Sequence, residues 1–279
     1  FKTYALGDTL NIGSNKLSVD LSGNIWFVGF EVKKNKQHLF RYDGDTFVSQ
    51  PLAAGARRLL ADHTGNIWLA TVSGALRYDG SEFTFFSDEM SSNQAYDIVE
   101  DGLGNLWFAT RGGLVRYNGR EFVVPAGLED VVDVVRIFAD RDNNIWLATN
   151  EGVANYNGTE LRRFSTEDGL ANNDDIQAIH QDAHGTIWIA HYGSGASRFD
   201  GSRFTRVIAS PDGLAGQWVW DLHTDREGSL WFATNLGVSR YDETHIANYN
   251  FDDVLPTLGP ISAIAQDRQG RMWLGTLSG

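Results

Sequence analysis

Cysteine is absent from the 279 residues, which excludes disulfides and thiolate metal sites and leaves the cellular compartment open. No apolar run approaches the roughly 18 residues that span a bilayer, so no direct membrane insertion is expected, and no signal-peptide pattern occurs. Proline is scarce, at 5, and falls outside the stretches that read as strand cores; helical periodicity is missing throughout. Basic residues are outnumbered, 23 Lys and Arg against 36 Asp and Glu, for a formal net charge of −13. That balance argues against nucleic-acid partners, which need clustered cations. The one basic cluster, "KKNK" at Lys33 to Lys36, is short and reads as a solvated loop. No P-loop, H-E-x-x-H, nucleophile elbow or dinucleotide fingerprint occurs. The string "DRDNN" at Asp140 lacks the Gly and distal Glu of a calcium loop. The chain opens on Phe1 rather than Met, and we expect a processed chain or an excised domain.

What the chain has in abundance is Gly (30) and aromatic residues (16 Phe, 9 Trp, 9 Tyr), a mix that favours strands and turns. Seven tryptophans recur as Trp26, Trp68, Trp107, Trp146, Trp188, Trp231 and Trp273, spaced by 42, 39, 39, 42, 43 and 42 residues. A period near 40 marks a repeat architecture. An Asp stands six residues before every one of them, from Asp20 to Asp267. Three before stands Gly, except at Asn143; both residue types tolerate positive φ. "D-x-x-G" therefore predicts a tight turn between two antiparallel strands, a and b, with Trp on b. A second hairpin, c into d, crosses D-G or N-G in "LFRYDGDTF", "LRYDGSEF", "LVRYNGREF", "VANYNGTEL" and "ASRFDGSRF"; "VSRYDETHI" keeps the Asp but loses the Gly.

Four strands in about 40 residues is the blade of a β-propeller, and its two apolar faces require neighbours. We expect an all-β, seven-bladed propeller of four-stranded antiparallel blades, filling residues 1–279 as one domain, with the motif Trp between adjacent blades. The seventh unit stops at Gly279 before its c strand. Its blade is expected to be closed by both termini, Phe1 and Tyr4 matching Phe83 and Phe86 of an outer strand, or completed by residues beyond Gly279. Six blades with ragged ends is the alternative.

The stretch from Gly169 to Phe204, "GL..ND.I.AI.QD..G.IWIA....G..RFDG..F", resembles the two-component regulator propeller repeat. That resemblance covers essentially the whole chain and joins D-x-x-G-N-[IL]-W to R-Y-D-G. It implies a periplasmic or extracellular sensing propeller set ahead of a membrane span and an output module, or a stand-alone relative. The D-x-x-G-x-[IL]-W-F string is also similar to that of the streptogramin lyases, metal-assisted seven-bladed propellers whose repeats lack the R-Y-D-G hairpin.

Because Asp, Gly and Trp recur in every unit, they are read as structural, and function is sought where units differ. Strand a is the innermost of a blade. Its variable positions, eleven, ten and eight before Trp, carry Lys16, Arg57, Arg58, Tyr96, Arg136, Trp220 and Asp221, a mixed set suited to a polar or anionic ligand. Mutual pairing of these charges is the competing reading. Trp218 and Trp220 lie outside the repeat pattern in "AGQWVW", and His191 replaces a Thr in "AHYGSG". His180 and His223 occupy equivalent places in neighbouring units, a candidate metal pair with Asp221 or His191. The b-to-c loop of unit one, "FEVKKNKQH", is longer than its equivalents.

The expected function is a non-catalytic, extracytoplasmic sensor propeller. It would bind a small molecule or oligosaccharide at the channel mouth and act through an output domain or second propeller. No cofactor is expected. Two alternatives stand: a metal-assisted lyase using His180, His223 and His191, and a protein-interaction scaffold with an inert channel.

Overall fold

The computed structural model describes residues 10–11, 17–31, 36–87, 90, 92, 94–210, 213–250, 259–267 and 269–276. Seven antiparallel sheets follow one another along the chain. In blade one, strand a is Leu10–Asn11 together with Ser18–Val19, strand b is Ile25–Glu31, c is Lys36–Tyr42 and d is Phe47–Pro51. Blades two to six repeat the order a-b-c-d, with their a strands at Ala56–Ala61, Ala95–Glu100, Arg136–Ala139, Ile176–Gln181 and Val219–Thr224. The seventh sheet consists of Ile261–Gln266 and Met272–Thr276, strands a and b of an incomplete blade. Strand a of each blade meets strand a of the next, from blade one to blade seven, and so lies innermost. Lys16, Phe1, Tyr4 and residues 32–35 of the long first loop lie outside the described residues.

The repeated residues build this architecture through two local devices. In the a-b turn, one oxygen of the Asp accepts amide hydrogens two and four residues ahead, as Asp62 does from Thr64 and Asn66 (2.9 and 2.8 Å). Its other oxygen accepts the indole N–H six residues ahead, in all seven blades and at 2.7–3.0 Å. The spacing of six thus locks the indole against its own turn. Gly65 has φ 92° here, and Asn143 takes the same left-handed region at φ 63°. In the c-d turn, the Asp or Asn accepts the next two amides beyond its neighbour. The Tyr before it donates its hydroxyl to the carbonyl two residues on, as Tyr78 does to Gly80 (2.7 Å). Where the Gly is lost, Glu243 itself adopts φ 77°.

The same Trp and Tyr join blade to blade. Trp26 meets Tyr78 of the next blade, Trp68 meets Tyr117, Trp107 meets Tyr156, Trp146 meets Phe199 and Trp188 meets Tyr241, with ring centroids 5.3–6.4 Å apart. Trp273 of the seventh sheet meets Tyr42 of blade one at 5.6 Å, so the ring is closed, and seven sheets rather than six complete the circle. Among the described residues the core is correspondingly divided into seven clusters, each straddling one interface. Aromatic pairs in such a setting add about 0.5–1.5 kcal/mol each beyond the area they bury.

Candidate functional site

The ring has two ends. The d-to-a connections and b-c turns open at one, the a-b and c-d turns at the other. At the first end, strand a begins with a bulge in blades two, three, five, six and seven. The register skips the residue between Ala56 and Arg58, Ala95 and Asp97, Ile176 and Ala178, Val219 and Asp221, and Ile261 and Ala263. The skipped residues are Arg57, Tyr96, Gln177, Trp220 and Ser262, one position of the repeat. A bulge re-aims the side chain it carries. The sequence marks this position as variable but gives no sign of the bulge.

Below the bulges lies a compact set of charges. Arg58 is buried, with Nε 3.9 Å from Asp97, and its Nη2 reaches across the ring to the Gln177 carbonyl at 3.5 Å. Arg136 donates Nε to the same carbonyl at 2.7 Å and Nη1 to that of Val135 at 2.7 Å. Burial, and then the repulsion of Arg58, push the Arg136 guanidinium down to about 10. Asp97 and Asp221 are only 3% and 2% exposed and act as staples between neighbouring blades. Asp97 accepts the Ile137 amide at 3.2 Å, and Asp221 the Ile264 amide at 3.0 Å. Arg57 lies over the Tyr96 ring at 4.4 Å from its centroid. The structure therefore brings Arg57, Arg58, Tyr96, Arg136 and Asp221 together.

Beside them stands an aromatic cluster. Tyr192 stacks on Trp218 at 4.8 Å and meets Trp220 at 6.0 Å, and the two tryptophans pack edge to face at 6.1 Å. Tyr192 is 41% exposed and Trp218 37%. The cluster has a sequence cause: the turn His191–Gly195 is one residue longer than Thr71–Gly74, and the extra Gly193 sits at φ 86° beneath Trp218. Sequence reading reaches the unusual loop and both tryptophans but not Tyr192, whose partner is 26 residues away.

The histidines have hydrogen-bond partners of their own. His191 is fully buried, with Nε2 2.9 Å from the Ser197 hydroxyl, and burial pushes its imidazole down to about 4. His180 Nε2 accepts the Thr224 amide at 3.1 Å. Among the described residues no three His, Cys, Asp or Glu side chains group so as to hold a metal ion. No helix of the described residues is long and apolar enough to cross a membrane.

Fold and mouth together define a β-propeller with an aromatic and arginine-lined channel opening. More narrowly, the family model of the two-component regulator propeller matches residues 89–112, 169–193, 213–236 and 255–278. No curated protein matches the chain by sequence. Among solved structures it is similar to the extracellular domains of two proteins described as hybrid two-component systems of B. thetaiotaomicron. One is 19% identical over 96% of this chain with a TM-score of 0.72, the other 18% over 100% with 0.73. The chain spans 39% of the length of each. Virginiamycin B lyase from Staphylococcus aureus, solved as an inactive variant with quinupristin, is 14% identical over 98% of this chain and 94% of its own, with a TM-score of 0.76. At these identities the likeness is one of fold.

Proposed function

We propose that this chain is a non-catalytic, extracytoplasmic sensor propeller that binds a saccharide at the aromatic end of its channel. It would pass the occupied state to an output domain or a second propeller. The observation that carries the reading is the Tyr192, Trp218 and Trp220 cluster, half open to solvent beside the bulged channel mouth. Rigid aromatic faces stack on the C–H faces of sugar rings at small entropic cost, and convergent polar groups beside them set orientation. The repeat family and the extracellular setting of two structural neighbours support the sensing role.

Thermal-shift screening of oligosaccharides, followed by calorimetry of the best binder, tests this reading. Trp218→Ala is expected to lower affinity by about tenfold or more, as for a buried aromatic anchor, while its unfolding midpoint stays near that of the parent. A panel in which no saccharide stabilises the fold, or a Trp218→Ala variant that binds as the parent does, would remove it.

A further inference from the structure

Around Arg136 the channel holds more guanidiniums than carboxylates. Two further guanidiniums, Arg57 and Arg58, stand there against two carboxylates, Asp97 and Asp221, in a chain whose net charge is −13; Asp174 and Asp175 lie exposed at the same end, beside Tyr192. Both carboxylates also accept backbone amides, and Asp97 stands 3.9 Å from Arg58 Nε. Asp97 accepts the amides of Ile98 and Ile137 at 3.0 and 3.2 Å, and Asp221 that of Ile264 at 3.0 Å. Arg136 bonds only to neutral carbonyls, and among the described residues its Nη2 has no acceptor. Arg57 makes no ion pair among the described residues; its one contact of note is the face of Tyr96. The guanidiniums are also held in place. Arg58 and Arg136 share the Gln177 carbonyl, so arginines of blades two and four converge on one point of blade five. Gln177 occupies the bulge position of blade five, and the equivalent residue of the next blade is Trp220. Cations and indoles therefore border one opening.

We infer that this opening selects an acidic saccharide, its ring against Tyr192, Trp218 and Trp220 and its carboxylate or sulfate on Arg57 and Arg136, with Arg58 behind them. The inference rests on the saccharide reading of the same site. Preorganised guanidiniums bind oxyanions through paired N–H donors and lose little freedom in doing so. Burial and Arg58 depress Arg136, as expected where cations outnumber the anions that balance them, yet at about 10 it remains charged at neutral pH.

The experiment is calorimetry on the full chain with three acidic trisaccharides, bearing galacturonate, glucuronate and sulfate, each beside its uncharged counterpart. At least one acidic member is expected to bind about tenfold more tightly than its neutral twin, the contribution of one charge-assisted pair. That advantage is expected to shrink as salt is raised, because Arg57 is part-exposed. Arg57→Gln is expected to remove most of the acidic member's advantage over its neutral twin. Arg57 is the useful variant because it bonds to no backbone group among the described residues, whereas Arg136→Gln would also release two carbonyls. Equal affinity for acidic and neutral members overturns the anion subsite and leaves the saccharide reading standing. An advantage that survives Arg57→Gln overturns the assignment to Arg57. Failure of every acidic and neutral member to bind removes both.

Discussion

At Asp62 one oxygen takes the amides of Thr64 and Asn66 and the other takes the Trp68 indole, so a single side chain sets both the turn and the rotamer of a core residue. Burial alone would raise this carboxyl. The hydrogen bonds of Asn66, Thr64 and Trp68 outweigh burial and hold it below its ordinary 3.8. Asp62→Ala leaves the indole N–H and two turn amides without their acceptor and is expected to cost about 2–4 kcal/mol in urea unfolding. A cost under about 0.5 kcal/mol would contradict the lock, since exposed sites fall in that range. His191 makes the opposite bargain. Between its ordinary 6.5 and the buried value of about 4, the unfolded chain takes up a proton that the folded chain refuses. Stability is therefore expected to fall as pH drops through that window and to level off below it. His191→Thr, which restores the residue that in blade two donates to the Gly74 carbonyl, should flatten the slope. Urea midpoints at pH 4 and pH 7 measure it.

Between elements, neighbouring blades are clasped at the a-b turns. The residue before the turn Asp accepts an amide from the turn of the preceding blade: Glu100 from His63, Gln181 from Arg141 and Gln266 from Arg226, at 2.9–3.0 Å. Blade four has Ala139 at that place and cannot do so. Instead Asn143, the residue that breaks the Gly pattern, accepts the Gly102 amide at 2.8 Å. Asn143 thus supplies between blades three and four the clasp that Ala139 does not. Asn143→Gly is expected to destabilise by about 1 kcal/mol despite its easier φ, as for one lost hydrogen bond. Adding Ala139→Gln should restore most of the loss, which a double-mutant cycle reads as coupling between the two positions. Additive effects would argue that the clasp contributes nothing.

At the scale of the whole ring, each indole serves two blades, and the closing contact of Trp273 with Tyr42 is one of six of the same kind. Trp146, buried between blades four and five, is the sharpest test. Trp146→Ala is expected to cost about 3–5 kcal/mol, as for other large core truncations. The ring should still melt in a single transition, since opening one interface exposes two apolar faces at once. Separate transitions, or loss of amide protection confined to blades four and five, would mean that the sheets are independent modules in a row.

The repeat fixed what is local. The turn Asp, the positive-φ Gly, the hairpin and the Trp all act within about ten residues of one another, and their periodicity alone specifies strands, blades and an interblade indole. The candidate site was legible only as a set of departures, among them Arg57, Arg136 and Trp220, with no indication of how they meet. Tertiary structure decided that Arg58 reaches Gln177, 119 positions away, that Tyr192 covers Trp218, and that Trp273 returns to Tyr42. Each of these depends on how far one sheet is rotated from the next around the ring. That rotation comes from packing summed over seven interfaces, and no single repeat encodes it.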